Sequence, residues 1–130
     1  MQTSVRLDFP IINSSPNAEY LEWDSVNKRF MINKRGSYSI MVGMEAVDMR
    51  NNLNQPNPNG DLALHIITTP YGVTSPGILF QQGPQYNYSV VVSTSVILDP
   101  GNIIYFSVNS GNSSFQVGPT FVSVNYSEIP

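Results

Sequence analysis

The clearest pattern in the chain runs from Phe30 to Val47, where apolar and polar residues alternate on either side of an interruption at 34–36. After the interruption, the alternation places one apolar set on a single face of an extended segment. This set is Tyr38, Ile40, Val42, Met44 and Ala46. Side chains of a strand point alternately to its two faces, so a period of two predicts a strand with one face in a core. Glycine adopts positive φ at little cost, so Gly36 predicts a tight turn between two strands.

The same alternation recurs along the whole chain. It predicts further strands at 5–9, 19–23, 62–67, 86–98, 103–108, 114–117 and 121–126, separated by polar loops at 13–17, 48–61 and 71–77 and a turn at Gly118-Pro119. The segment 99–102, Asp-Pro-Gly-Asn, predicts a tight turn, and the apolar strands around it predict a central hairpin. No segment has a helical period. We therefore expect one all-β domain over residues 1–130, a sandwich or a barrel.

Composition narrows the possible partners. Charged residues make up 12% of the chain, about half the usual share, and chiefly Asn and Ser replace them. This favours a β-rich protein whose outer faces are Ser, Thr and Asn, or one that hides surface against copies of itself. A net charge of -3 gives no basic footprint, so we expect no nucleic-acid partner. The chain has no cysteine, so neither disulfides nor thiolate metal sites are available. No apolar run approaches the roughly 18 residues of a membrane span, so we expect no membrane insertion. The first residues show no apolar segment of a signal peptide.

Three segments, in this order, resemble the C1q/TNF-like jelly-roll superfamily. The first is Phe30 followed by Gly36-Ser37-Tyr38, the second is 96–105, and the third is the closing 120–124. The Ser/Thr/Asn-rich, cysteine-free composition is similar to bacterial or phage versions, such as the C-terminal domains of collagen-like spore-surface glycoproteins or fibre heads. The resemblance implies a jelly-roll β-sandwich of about 8–10 antiparallel strands that assembles as a homotrimer.

Apolar residues also occupy the second face of two predicted strands. They are Met41, Gly43 and Val47 in the first strand and Val91 and Ile97 in the second. Apolar positions on both faces indicate either a buried subunit interface or a strand covered by a loop. Taken with the resemblance, the trimer interface is the favoured interpretation of these five residues.

Residues for catalysis are few. His65 is the only histidine, it lies within a predicted strand, and no Gly-x-Ser-x-Gly segment accompanies it, so a structural role is favoured over a Ser-His-Asp site. Glu19, Glu22 and Asp24 offer carboxylates of the kind that glycosidases use, but acidic residues near a strand end are ordinary solvated surface. We therefore predict no enzymatic activity and no cofactor.

Two loops and one tryptophan are the ligand-binding candidates. Tyr71 lies in a Pro/Gly loop and Trp23 near a strand end, and both residue types combine a large apolar area with a polar group. Asn52, Asn54 and Asn57 lie in the long polar loop, and loops on a rigid scaffold commonly carry binding residues.

The same polar loop offers oxygen ligands for calcium. Asp48 and Asp61 at its two ends are the calcium candidates, but the EF-hand spacing is absent. An Asn-rich turn is the favoured interpretation, so we predict no metal.

These observations favour a non-enzymatic homotrimeric head at a bacterial, spore or phage surface, in an extracellular setting, that binds a receptor or a glycan. One alternative is a structural domain that trimerises or caps a collagen-like or fibre stalk. Another is a monomeric carbohydrate-binding β-sandwich.

Overall fold

The structure is a computed structural model that describes residues 4–9, 18–69, 72–78 and 87–129. Within these ranges every regular element is a strand, which confirms the all-β class. The strands are β1 (Ser4–Arg6), β2 (Leu21–Asp24), β3 (Arg29–Ile32), β4 (Gly36–Arg50), β5 (Ala63–Thr69), β6 (Gly72–Ile78), β7 (Tyr88–Leu98), β8 (Ile103–Asn109) and β9 (Ser114–Ser127).

The strands form two antiparallel sheets that pack face to face as a β-sandwich. The larger sheet has the order β2-β3-β8-β5-β6, and the smaller has the order β7-β4-β9. Both β3 and β1 pair with β8: β3 with Ile103 and Ile104, and β1 with residues 107–109. Because β5 pairs with the whole length of β8 on its other side, β1 and β3 share one edge of that strand.

The core lies between the sheets, on the faces that the alternation predicted. The apolar set of β4 from Tyr38 to Ala46 is buried, and Leu62, Leu64 and Ile66 are buried on the facing sheet. Phe106 on β8 is fully buried, with its ring centroid 5.6 Å from that of Phe9. The two-residue period therefore identified the core faces of both sheets.

The turn at 99–102 is present, but the hairpin predicted around it is wrong. Gly101 has a φ of 90°, as the turn requires. The strands that the turn joins, β7 and β8, nevertheless lie in different sheets. The Gly101 N–H donates to the Ile32 carbonyl at 2.9 Å, so the turn is tied to the end of β3. Turn residues specify only that the chain reverses direction. Which sheet the next strand joins depends on the strands with which it forms hydrogen bonds.

The prediction of a positive-φ turn at Gly36 is also wrong. The glycines with positive φ among the described residues are Gly72 and Gly101, whereas Gly36 is the first residue of β4. Gly36 lies directly beneath the Tyr126 ring, where a Cβ atom would collide with the ring carbons. The Tyr126 ring in turn stacks on Tyr20 with a centroid distance of 4.1 Å. Close approach of this ring, rather than backbone conformation, is what requires glycine here.

Three loop boundaries also differ from the prediction. β4 continues through Asp48 to Arg50, so the polar loop begins later than expected. Residues 72–77, expected to be a loop, form most of β6 at the sheet edge next to β5, and an edge strand tolerates its proline. The turn expected at Gly118-Pro119 is instead a bulge within one long strand, where the register with β4 shifts between Met44 and Ala46. The predicted loop at 13–17 lies outside the described residues.

Candidate functional site

The outer face of the three-stranded sheet is the most unusual surface of the described part of the chain. Four large apolar side chains on this face are 42 to 54% exposed, which is far from buried. They are Met41 (42%), Val91 (54%), Ile97 (44%) and Phe121 (49%). We call this surface the outer face.

Strand register brings three residues of this face into one row. Gly43 on β4 pairs with Val91 on β7 and with Phe121 on β9. The Phe121 ring lies on Gly43, in the space that a side chain would otherwise fill, so Gly43 is buried. Met41 lies in the adjoining outward row, between Ser93 and Ser123. The result is a continuous apolar patch across all three strands.

The rest of the outer face is small and almost uncharged. Its other outward positions are Ser37, Ser39, Glu45 and Val47 on β4, Ser89, Ser93 and Ser95 on β7, and Ser123, Asn125 and Ser127 on β9. Glu45 is the single charged residue of this set. A shallow depression of about 300 Å³ crosses the middle of the face, between Met41 and Asn125. Charged residues are depleted at the centres of protein interfaces, as they are on this face.

The structure brings Met41, Gly43 and Val91 together in the apolar patch, whereas Ile97 lies on the same face in a separate row with Ser37 and Ser127. Met41, Val91 and Ile97 are exposed on the outer face, and Gly43 lies under Phe121. Val47 is half-buried at the far end of β4, where it pairs with the start of β9 rather than joining the apolar row.

Phe121 was missed as an interface residue. The sequence carries a signal for it, because Val122 and Val124 alternate with Phe121 along the predicted strand 121–126, and the structure packs both valines against the core.

The predicted binding residues of the polar loop serve different purposes. Asn57 is half-buried and its amide donates to the Ser113 hydroxyl at 2.9 Å, so it fastens the loop to the chain before β9. Asn54 adopts a left-handed φ of 60° within a turn, a conformation that asparagine tolerates. Asn52 is exposed and lines an open polar depression of about 480 Å³ with residues 110–114.

Asp48 and Asp61 belong to two separate hydrogen-bond networks. Arg50 Nε donates to Asp48 Oδ2 at 3.0 Å. The Ser110 hydroxyl and the Gly111 N–H both donate to Asp61 Oδ1, at 2.8 and 2.7 Å. The Ser110 hydrogen bond holds the pKa of Asp61 below its usual value. Across the described ranges no group of three or more His, Cys, Asp or Glu residues gathers as a metal site would need.

Of the two aromatic candidates, the structure describes Trp23, which packs against other aromatic rings. Trp23 is half-buried, with its ring centroid 4.8 Å from that of Phe30 and 5.6 Å from that of Phe9. Tyr71 lies outside the described residues.

Three of the four catalytic candidates are engaged in structural contacts, and the fourth, Glu22, is exposed. His65 Nε2 lies 3.0 Å from Asn109 Oδ1 of the neighbouring strand. The Asn27 amide donates to Asp24 Oδ2 at 2.8 Å, and this bond lowers the pKa of Asp24. A glycosidase acid needs a raised pKa. Glu19 forms an ion pair with Lys34 at 3.8 Å.

No protein-family model matches the chain, and no curated protein sequence matches it. Among the described residues no helix is long and apolar enough to cross a membrane.

Proposed function

We propose that this protein is a non-enzymatic head domain that assembles as a homotrimer through the outer face and recognises a receptor or glycan at a particle or cell surface. The observation that carries the proposal is the apolar row of Val91, Gly43 and Phe121 on a face with one charged residue. Exposed apolar patches that span a whole sheet are characteristic of interaction sites.

The strand arrangement supports the jelly-roll part of the proposal. After β3 the chain passes to the smaller sheet at β4, returns to the larger sheet for β5 and β6, and then alternates again through β7, β8 and β9. Wrapping of this kind, with sequential strands in opposite sheets, is what a double Greek key produces.

A second copy of the chain is the proposed occupant of the outer face because its chemistry is self-compatible. Glu45 is the single charged residue of the face, so it is the one side chain whose like charge two or three copies must keep apart. The other part of the face is hydroxyl-rich, and hydroxyls both donate and accept hydrogen bonds, so such surfaces can pair with themselves.

The test is the solution mass of the purified protein, measured by light scattering at two concentrations. We expect three times the chain mass of 14.4 kDa at both. The Val91→Lys variant should reduce the mass to that of a single chain, because it buries an unpaired charge in the interface.

The matched control is Val26→Lys, at the tip of the β2–β3 turn. Val26 is 85% exposed and lies off the outer face, so this variant should keep the mass of the unmodified protein. A single-chain mass for the unmodified protein at both concentrations would refute the trimer. The proposal also fails if Val91→Lys and Val26→Lys have the same multimeric mass.

A further inference from the structure

A second candidate site lies at the seam between the two sheets, away from the outer face. It is a groove of about 390 Å³ between β1 and the start of β9. Its lining residues are Val5, Arg6, Leu7, Asp8, Lys28, Phe115, Gln116 and Val117. Leu7 and Phe115 are buried and form its floor. We call this cavity the seam groove, and its volume lies in the range of roughly 300 to 1,000 Å³ that is usual for ligand sites.

The seam groove is lined by two cations, Arg6 and Lys28, and one carboxylate, Asp8. Four of the six Lys and Arg residues form ion pairs. The two that form none with the described residues are Arg6 and Lys28, and both line this groove.

Two contacts fix the Arg6 side chain, and one of them links it to the backbone of Lys28. Arg6 Nε donates to the Lys28 carbonyl at 3.3 Å, and the Arg6 guanidinium lies 3.9 Å from the centre of the Tyr105 ring. Lys28 has a left-handed φ of 56°, which is uncommon for a residue with a side chain. An acidic group bound in the groove would therefore meet two cations whose backbone positions are linked.

The other residues that line the seam groove indicate which further chemical groups a ligand would have. Asp8 accepts hydrogen bonds from hydroxyls, and its carboxylate offsets part of the positive charge of the two cations. Val117 is 40% exposed and contributes aliphatic surface, and its backbone partner Ala46 is buried, so Val117 points to the seam rather than to the outer face. A ligand that satisfies all of these groups has a carboxylate, several hydroxyls and a ring with C–H groups.

We infer that the seam groove binds an acidic monosaccharide unit of a glycan, a uronic or sialic acid. This inference rests on the proposed recognition function and names its ligand class and its site. The carboxylate lies between Arg6 and Lys28, and the ring lies along Val117 with its hydroxyls toward Asp8.

The experiment is calorimetric titration of the protein with glucuronic acid and N-acetylneuraminic acid, with glucose as the neutral counterpart of glucuronic acid. We expect saturable binding of at least one acid, with a dissociation constant of about 1 mM, which an ordinary ligand efficiency gives for this size. Glucose should bind at least about tenfold more weakly. Raising the salt concentration should weaken the binding of the acid.

The diagnostic variant is Lys28→Asn, because asparagine accepts the left-handed backbone conformation while removing the charge. It should weaken acid binding about fivefold or more. The matched control is Arg35→Gln, which removes a cation that is paired with Asp99 elsewhere on the surface and should leave binding unchanged.

Several results would overturn the inference. They are the absence of saturable binding of both acids, equal binding of glucose, equal effects of the two variants, and tighter binding of a tetraglutamate peptide than of either sugar acid. Light scattering on the same samples separates this test from that of the trimer. A trimer that binds neither acid removes the groove alone, whereas a single-chain protein that binds glucuronic acid removes the trimer alone.

Discussion

The Tyr38 hydroxyl gives the sharpest test of the packing. Tyr38 is fully buried, and its hydroxyl donates to the Lys34 carbonyl at 2.6 Å and to the Tyr20 carbonyl at 3.1 Å. In Tyr38→Phe the Tyr20 carbonyl keeps the N–H of Asn33 at 2.7 Å, whereas the Lys34 carbonyl loses its donor. We expect the free energy of unfolding at pH 7 to fall by about 1–2 kcal/mol.

The same hydroxyl makes stability depend on alkaline pH. Burial, with a smaller contribution from Tyr126, raises the pKa of Tyr38 from 10.0 to about 12. The folded state therefore holds this proton more tightly than the unfolded state. Stability is unaffected below pH 10 and falls between the two pKa values, by about 1.4 kcal/mol at pH 11. Tyr38→Phe lacks this loss, so the two proteins should reach nearly equal stability at pH 11.

The assay is urea unfolding followed by circular dichroism at pH 7, 9, 10 and 11. One protein concentration must be used throughout, because association alters apparent stability. Tyr105→Phe is the matched control, since Tyr105 is half-buried and its hydroxyl forms no hydrogen bond with the described residues. A stability difference between Tyr38→Phe and the unmodified protein that is the same at pH 7 and pH 11 would refute the reasoning.

Two further substitutions test the glycine contact and the acidic turn. Gly36→Ala places a methyl group against the Tyr126 ring, so it should destabilise the protein by about 1–3 kcal/mol in urea unfolding, while Ser37→Ala on the same strand should change stability little. An unchanged midpoint for Gly36→Ala would show that the ring moves aside freely. Because the Ser110 hydroxyl lowers the pKa of Asp61 below 3.8, the folded state loses stability as the pH falls below about 4, and Asp61→Asn should lose less over that interval. Thermal unfolding between pH 6 and pH 3 measures this, and parallel curves for the two proteins would contradict it.

Much of the fold could be predicted from the sequence because a period of two depends only on local geometry. The buried face from Tyr38 to Ala46 followed directly from it. The placement of β7 and β8 in different sheets could not be predicted. The turn at 99–102 has the same residues whether the next strand stays in the sheet or crosses to the other one. The prediction of a positive-φ turn at Gly36 was wrong for a related reason. The Tyr126 ring that excludes a side chain at this position lies far away in the sequence.

The candidate sites divide in the same way. The outer-face residues Met41, Val91 and Ile97 could be found because each interrupts a polar face within its own strand. The seam groove could not, because Arg6 and Lys28 are 22 residues apart in the sequence and become neighbours only when β1 docks on β8. No local pattern indicates that these two cations form no ion pair within the described part of the chain.

The central position of β4 has a consequence for how the chain folds. Its first residues pair with the end of β7 and the end of β9 at once: Ser37 lies between Ile97 and Ser127. Both partners leave the ribosome long after β4, so the nascent strand has neither neighbour while the intervening chain is made. Closing such distant pairs slows folding to milliseconds or longer and leaves apolar strand surface open to aggregation in the meantime. We therefore expect that chains shortened before Ser127 fail to fold, and that refolding yield falls steeply with protein concentration.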